Sequence, residues 1–373
     1  MRVWPGDRVD VVKVAIVLPD LRGGGAERVS LDLGHAIAAQ GHAVEFALMQ
    51  RSGDFLAEAE SAFSVVDLAA PRVRHALPSL RAFLEQRRPD VVLASMWPLT
   101  VMVPLAQKLA RHSCRVIVCE HGILSAQYRD WGMAHFLALR ATTAVGYRLA
   151  AARVGVSVGV AADMARLSMM DPARIVAIHN PLRALPVPEE GQVAAAAALW
   201  NGHGPRIITV GNLKQVKNHA LLLRAFARLN VPEARLMIVG QGPEEQRLRD
   251  LTAKLGLQDR VILAGFHPNP AALYATADLF ALSSDHEGFG SVLVEALSFG
   301  LPVVATDCPS GPAEILGDGQ WGHLVPVGDA EALAATLQAA LSAPVDKDAL
   351  KARAAAFSVD IVARRYLELM EEP

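Results

Sequence analysis

The segment Asp285-His286-Glu287-Gly288-Phe289-Gly290-Ser291-Val292-Leu293-Val294-Glu295 sets two carboxylates, Glu287 and Glu295, eight positions apart. A Gly-Phe-Gly turn follows the first, and an apolar run with helical character leads to the second. Glycines directly before a helix leave backbone N–H groups facing outward, where an anion can take them. A carboxylate one turn into that helix can accept hydrogen bonds from two neighbouring hydroxyls, as a ribose diol offers. A carboxylate before the turn sits beside whatever the phosphates carry. Anion, diol and polar substituent together describe a nucleotide-sugar. The same spacing also fits a helix capped by an acidic loop, with Glu295 a solvated surface residue.

Other loops carry companions for these carboxylates. Leu21-Arg22-Gly23-Gly24-Gly25-Ala26-Glu27 follows the first expected strand and opens a helix through Leu33. Its glycines let the backbone approach a ligand, and the helix start favours negative charge. Arg28 stands where GxGxxG needs its third glycine, so this is not a dinucleotide fingerprint. Val239-Gly240-Gln241-Gly242-Pro243 repeats the arrangement in the second half, with Glu245 in place of the third glycine. Lys217, in the turn Gly211-Asn212-Leu213-Lys214-Gln215-Val216-Lys217-Asn218, lies close to a helix start, where an ammonium can neutralise phosphate oxygens. His121, in Cys119-Glu120-His121-Gly122, follows a buried strand at its carboxyl end. There an imidazole can donate to a sugar hydroxyl or help a proton leave, and it can equally cap a helix or fill a polar niche.

Three further patterns are set aside. Gly155-Val156-Ser157-Val158-Gly159 matches the GxSxG elbow, with Asp278 and His323 as later partners, but a serine hydrolase leaves the second half's acidic and glycine loops unexplained. His286-Glu287 begins like HExxH, yet Gly290 occupies the position of the second histidine. Asp346-Lys347-Asp348 falls near the last helix and reads as a helix start rather than a metal clamp.

These loops need elements to position them. A length of 373 residues suggests two domains. Short β-branched runs alternate with amphipathic helices, from Lys13–Leu18 to Arg174–Ile178 in the first half and from Arg206–Val210 to His323–Val327 in the second. Strands that read as continuous apolar runs between such helices mean parallel sheets covered on both faces. Ligands of doubly wound sheets bind at the carboxyl ends of the strands, where the motifs above fall. The pattern pauses around Asn180 to Pro205, which carries Pro181, Pro186, Pro188 and Pro205 and reads as a hinge.

Composition narrows the classes further. The chain is 52% hydrophobic with a net charge of −2, which gives no nucleic-acid surface, so any phosphate is met by a few placed groups. Cys114, Cys119 and Cys308 form no CxxC pair, fitting reduced thiols in the cytoplasm. Met1 to Asp10 is polar and shows no signal peptide. The longest apolar run, Val91 to Ala106, is interrupted by Pro98 and Pro104 and is too short to span a membrane. From Tyr128 to Arg153, Trp131, Phe136 and Tyr147 mix with Arg129, Arg140, Arg148 and Arg153, which reads as a core-facing amphipathic helix in preference to a membrane-surface one.

With these residues in hand, the chain resembles the family-4 glycosyltransferases, retaining enzymes of GT-B architecture. The resemblance rests on Gly24-Gly25-Ala26-Glu27-Arg28, Glu120-His121-Gly122, Ile178-His179-Asn180-Pro181, Gly211-Asn212-Leu213 with Lys217-Asn218, and Gly240-Gln241-Gly242-Pro243. It extends through Ala264-Gly265-Phe266, Glu287 to Glu295, and Asp307-Cys308-Pro309-Ser310-Gly311-Pro312 with Glu314.

The resemblance implies an α/β protein of two doubly wound Rossmann-like domains facing a central cleft. Residues 1–182 would bind the acceptor, 183–204 would link, 205–356 would bind the nucleotide-sugar donor, and 357–373 would pack back on the first domain. It implies a retaining, metal-independent transfer of a hexose or N-acetylhexosamine from a nucleotide diphosphate, a UDP-sugar by preference, to a hydroxyl. Glu287, His121 and Lys217 would be the catalytic set. Glu287 would contact the sugar hydroxyls, His121 would reach the sugar from the acceptor side, and Lys217 would hold the diphosphate. Glu295 would hold the ribose, Gly288, Phe289, Gly290 and Ser291 the sugar and diphosphate, and Phe266 would face the base. Gly24, Gly25, Asn212 and Gly242 complete the donor set, with Asn212 standing where the family usually has arginine. Lys214 or the helix N-terminus would make up for the missing charge, with Arg22 or Arg28 contributing only if the domains close. No cofactor beyond the donor substrate is implied. The acceptor would be a glycan or a lipid-linked glycan, reached by a cytoplasmic protein in peripheral contact with the inner membrane surface. A nucleotide-sugar epimerase of the same fold and a nicotinamide-dependent dehydrogenase are the alternatives.

Overall fold

The computed structural model describes residues 11–183 and 185–371. The polar opening segment 1–10, and the last two residues of the expected 357–373 segment, lie outside the described residues. The chain divides into two compact units. One takes in the chain up to Pro181 together with the segment from Val359 onward, and the other runs Leu182–Ser358.

The first unit is built on seven strands: β1 (Lys13–Leu18), β2 (Ala43–Leu48), β3 (Ser64–Asp67), β4 (Val91–Ser95), β5 (Arg115–Glu120), β6 (Ala152–Gly155) and β7 (Val176–Ala177). Their order is β3-β2-β1-β4-β5-β6-β7, with every pairing parallel. The second has β8 (Arg206–Val210), β9 (Arg235–Val239), β10 (Val261–Gly265), β11 (Leu279–Leu282), β12 (Val303–Thr306) and β13 (His323–Val325), ordered β10-β9-β8-β11-β12-β13, again all parallel. The central strands are apolar up to their last residue because helices cover both faces, and every residue of β4, β11 and β12 is buried, the terminal Ser95 and Thr306 included. In each sheet the chain builds outward on one side and then returns to the other. The strand order therefore reverses between β1 and β4, and again between β8 and β11. At such a reversal the loops leaving the two strands diverge and open a crevice.

The last strand of the first sheet is shorter than the expected 174–178. Asp171 accepts a hydrogen bond from Ala173 N at 3.0 Å and starts a 3-10 turn over Pro172–Arg174, which withdraws those residues from the sheet. A larger correction concerns 183–204, expected as a linker. It belongs to the second unit, because helix Glu190–Ala198 is followed by Trp200, which is fully buried and donates Nε1 to Thr276 Oγ1 at 2.9 Å. Phe357, expected in the returning segment, also stays in the second unit, packed edge-on to Phe289.

The final helix, Val359–Glu371, packs on the first unit. Tyr366 Oη lies 3.3 Å from Cys119 Sγ on β5, and Arg115 Nε donates to Leu369 O at 2.6 Å. Helix Met133–Leu149 buries Leu139, Thr143, Gly146 and Tyr147, an i, i+4, i+7, i+8 stripe. Gly146 lets it approach the backbone of Val101. The 3-10 turn Arg129–Trp131 before it and its own start are different, since Trp131, Met133 and Leu137 are each more than half exposed. No helix among the described residues is long and apolar enough to cross a membrane.

Candidate functional site

The second unit gathers its polar side chains where β8 and β11 part. The loop after β8 makes a 3-10 turn over Gln215–Lys217, and Asn218 then adopts a left-handed conformation. Asn218 Oδ1 caps helix His219–Phe226 by accepting from Leu221 N at 3.2 Å, while its Nδ2 donates to Asp285 Oδ1 at 2.8 Å. Asp285 N in turn donates to Val216 O at 2.8 Å, and Ser283 Oγ donates to Lys217 O at 3.0 Å. Three links thus sew the two loops together. Their product is a forked ion pair: Lys217 Nζ donates to Glu287 Oε1 at 2.6 Å and to Oε2 at 2.8 Å. Ser284 Oγ adds a third donor to Glu287 Oε1 at 2.6 Å. Burial makes this arrangement rigid, with the Glu287 side chain 8% exposed and that of Lys217 23%.

Beyond Glu287 the chain turns through Gly290, whose φ of +89° belongs to glycine, into helix Ser291–Ser298. No side chain caps this helix, so its leading N–H groups are left for another acceptor. The loop after β12 supports the turn from behind. Ser310 Oγ donates to Gly288 O at 2.8 Å, and Gly311 has no side chain because a Cβ there would fall 1.9 Å from Phe289 O. Phe289 itself is buried, so only its backbone could meet a ligand. One turn into the helix, Glu295 Oε2 accepts from the fully buried Tyr274 Oη at 3.0 Å, which fixes one side of the carboxylate.

Asn212 and Lys214 are exposed. Gly242 approaches Leu213 so closely that a Cβ would lie 2.5 Å from its carbonyl oxygen, so loop packing alone requires glycine there. Phe266, 53% exposed, follows β10 at the sheet edge, two strands from β8.

In the first unit, Gly24 precedes helix Gly25–Ala39, which has no side-chain cap. A Cβ at Gly25 would meet nothing, and one at Gly24 would meet only the movable carboxylate of Glu27. The packing of the unit therefore demands neither glycine. Arg28 is committed elsewhere: it pairs with Asp32 at 2.8 Å and Glu58 at 2.6 Å and lies over the Phe55 ring. Arg22 pairs with Asp20 at 2.9 Å. His121 leaves the end of β5 with both ring nitrogens shielded from solvent and without a hydrogen-bond partner. Burial lowers its pKa to about 4, so the imidazole is neutral at physiological pH.

Two of the set-aside patterns also find their place. Ser157 is buried and caps helix Val158–Ser168 by accepting from Val160 N at 3.1 Å, which spends its oxygen on the fold. Asp346 caps helix Lys347–Ala355 through Ala349 N at 3.0 Å. Sequence reasoning missed Ser284 and Tyr274, which hold Glu287 and Glu295. Ser284 lies one residue before the acidic segment, two residues past the buried strand β11, and that position was its only signal.

Two family models match the chain: Glycosyltransferase Family 4 over residues 23–183 and Glycosyl transferases group 1 over residues 194–357. Over 168 residues the chain is 38% identical to the N-acetylgalactosamine-N,N'-diacetylbacillosaminyl-diphospho-undecaprenol 4-alpha-N-acetylgalactosaminyltransferase of Campylobacter jejuni, covering 44% of this chain and 46% of that protein. It is 35% identical over 134 residues to the lipopolysaccharide core biosynthesis glycosyltransferase LpsE of Rhizobium meliloti, covering 36% of this chain and 38% of that protein. The chain thus spans less than half the length of these curated relatives. The crystal structure of Anabaena HepE in complex with UDP and glucose superposes with a TM-score of 0.83 at 20% identity, covering 97% of this chain and 100% of that one. At that identity the likeness shows the fold, which is GT-B.

Proposed function

Since the chain belongs to the family-4 glycosyltransferases, we propose that it moves a hexose or N-acetylhexosamine from a UDP-sugar to a hydroxyl of a glycan or lipid-linked acceptor, with retention at the anomeric carbon. The observation that carries this reading is the forked Lys217–Glu287 pair beside an uncapped helix start, at the point where β8 and β11 diverge. A cation and backbone N–H groups suit a diphosphate, and the carboxylates on either side suit sugar and ribose hydroxyls. Binding of UDP and glucose by a protein of the same fold supports the choice of donor.

The barrier lies in breaking the anomeric C–O bond while charge builds on the departing diphosphate. Lys217 shares its charge between Glu287 and the phosphate, and the leading N–H groups at Ser291 and Val292 meet the remaining oxygens. Each preorganised donor of this kind is worth about 2.7–4 kcal/mol. The acceptor oxygen bonds to the anomeric carbon on the face the diphosphate leaves, and the acceptor proton passes to the departing phosphate oxygen. His121, held neutral, serves as a hydrogen-bond partner for a sugar hydroxyl rather than as a cation. The reading assigns the leaving charge to protein groups, so turnover is expected to survive a chelator.

The first unit takes the acceptor. Exposed Trp131, Met133 and Leu137, beside an Arg129 that pairs with Asp130 at 3.6 Å, offer apolar contact to a lipid-linked acceptor or the membrane that carries it. The relatives' lipid-linked and lipopolysaccharide substrates support that class. The epimerase and dehydrogenase alternatives gain no support from the comparisons.

The test is release of UDP from a panel of UDP-sugars, with and without candidate acceptors. Wild-type chain should release UDP with at least one, and Glu287→Ala should lower turnover by about 10²–10³-fold. Full activity in Glu287→Ala would remove the assignment.

A further inference from the structure

We propose that Glu120 is a positioning residue, whose carboxyl locks the turn after β4 to the end of β5 and thereby fixes His121. The proposal rests on the reading above for what His121 touches, and on the geometry of the first unit for the rest.

Glu120 is the last residue of β5 and is 1% exposed. No cation pairs with it among the described residues. A buried carboxyl without a counter-charge destabilises a fold unless hydrogen bonds replace the lost water. Three donors do so here. Thr100 Oγ1 and Tyr147 Oη donate to Oε1 at 2.6 and 2.9 Å, and Trp97 N donates to Oε2 at 3.1 Å. They come from three elements: the turn after β4, the first turn of helix Leu99–Leu109 and the last turn of helix Met133–Leu149.

The turn they hold is the one at the reversal of the first sheet. Met96 has a φ of +68°, a left-handed conformation that costs a non-glycine residue energy and persists only where its surroundings impose it. Met96 N donates to Cys119 O at 3.0 Å, and the next N–H, that of Trp97, reaches the Glu120 carboxyl. Two consecutive residues of β5 therefore hold this turn, and His121 is the next residue along. Its ring nitrogens make no hydrogen bond that could orient it, so its direction is inherited from the backbone that Glu120 pins. Burial also raises the Glu120 carboxyl to about 7, which makes glutamine a near-isosteric replacement at neutral pH. A glutamine amide can be matched with its oxygen toward Trp97 N and its NH2 toward Thr100 and Tyr147, whose hydroxyls can accept as well as donate.

The experiment compares full-length wild type, Glu120→Ala, Glu120→Gln, His121→Ala and the double variant Glu120→Ala/His121→Ala. Amide hydrogen exchange is read over residues 95–98 and 121–123, and turnover on the UDP-sugar that wild type uses best. In Glu120→Ala, exchange in those two segments should rise about 10-fold or more while the second unit stays protected, and Glu120→Gln should restore it. Turnover should fall about 10²-fold at nearly constant KM, as expected for a misplaced group. In the His121→Ala background the same change should cost about 2-fold or less, because the effect runs through His121. Unchanged exchange in Glu120→Ala overturns the proposal, and so does full additivity with His121→Ala. A wild type that releases UDP from no UDP-sugar contradicts the functional reading instead, and exchange alone then decides for or against Glu120.

Discussion

Lys217 Nζ sits 2.6 and 2.8 Å from the two carboxylate oxygens of Glu287, although 70 positions separate the residues. One side chain leaves β8 and the other leaves β11, and those strands are neighbours because the sheet reverses its order there. Topology thus brings together a cation and an acid that the chain keeps far apart.

The pair is shielded enough for its loss to register in stability. Lys217→Met leaves a carboxylate with Ser284 as its one donor among the described residues, at an expected cost of about 1–3 kcal/mol. Adding Glu287→Gln to Lys217→Met should recover much of that loss. Urea unfolding of the single and double variants measures it, and equal losses in both would mean that the two groups are not coupled.

Glu295 is expected to act on binding more than on turnover. Glu295→Ala should weaken UDP binding by about 10–100-fold, the range for a hydrogen bond to a charged group. Tyr274→Phe, which frees the carboxylate from its one described donor, should weaken binding less. Titration calorimetry with UDP separates the two, and a Glu295→Ala chain that binds UDP at wild-type strength rules out the ribose role.

How much of this was legible in the sequence depended on distance along the chain. Strands such as Val303–Thr306 announce themselves because a parallel strand covered on both faces reads as an apolar run, here closed by Thr306. Glu287, Gly290 and Glu295 were readable because turn, helix start and second carboxylate lie within one local run. The Lys217–Glu287 bond, and Ser284 and Tyr274 behind the two acids, depend on which loops the sheet brings together. The segment 183–204 misled because its prolines resemble a linker, whereas Trp200, buried against Thr276, anchors it to the second unit. Glu120 entered the sequence reading only as part of Glu120-His121-Gly122, and nothing near it in sequence predicts donors from Trp97, Thr100 and Tyr147.

The glycines divide into two kinds with opposite expected outcomes. A Cβ at Gly240 would lie 2.0 Å from Gly211 O, so Gly240→Ala should lower the melting temperature. A Cβ at Gly25 meets nothing, so Gly25→Ala should fold as well as wild type, or better by up to about 1 kcal/mol. Turnover should nevertheless fall in Gly25→Ala if that helix start approaches the donor. Paired melting and activity measurements check this, and a fully active Gly25→Ala excludes Gly25 from the donor set.

Stability should carry the signature of the buried Glu120 carboxyl. Its pKa rises from 4.5 to about 7, chiefly through burial, so between those values the folded chain holds a proton that the unfolded chain has released. Its contribution is fully present below the lower value and is lost as pH rises through the upper one. Relative to Glu120→Gln, wild type should lose about 3 kcal/mol across that window. His121, lowered from 6.5 to about 4 by burial, acts in the opposite sense, and stability is lost as pH falls through that range. Both variants retain His121, so the difference isolates Glu120. Urea unfolding of the two across this pH range should show it, and parallel curves would contradict a carboxyl that titrates near neutrality.

The most direct test is a crystal structure of the chain with UDP. The expected result places the diphosphate within hydrogen-bonding distance of Lys217 Nζ and the Ser291 N–H, with both ribose hydroxyls on Glu295. UDP bound away from the ends of β8 and β11, or ribose hydroxyls that do not touch Glu295, would contradict the assignment.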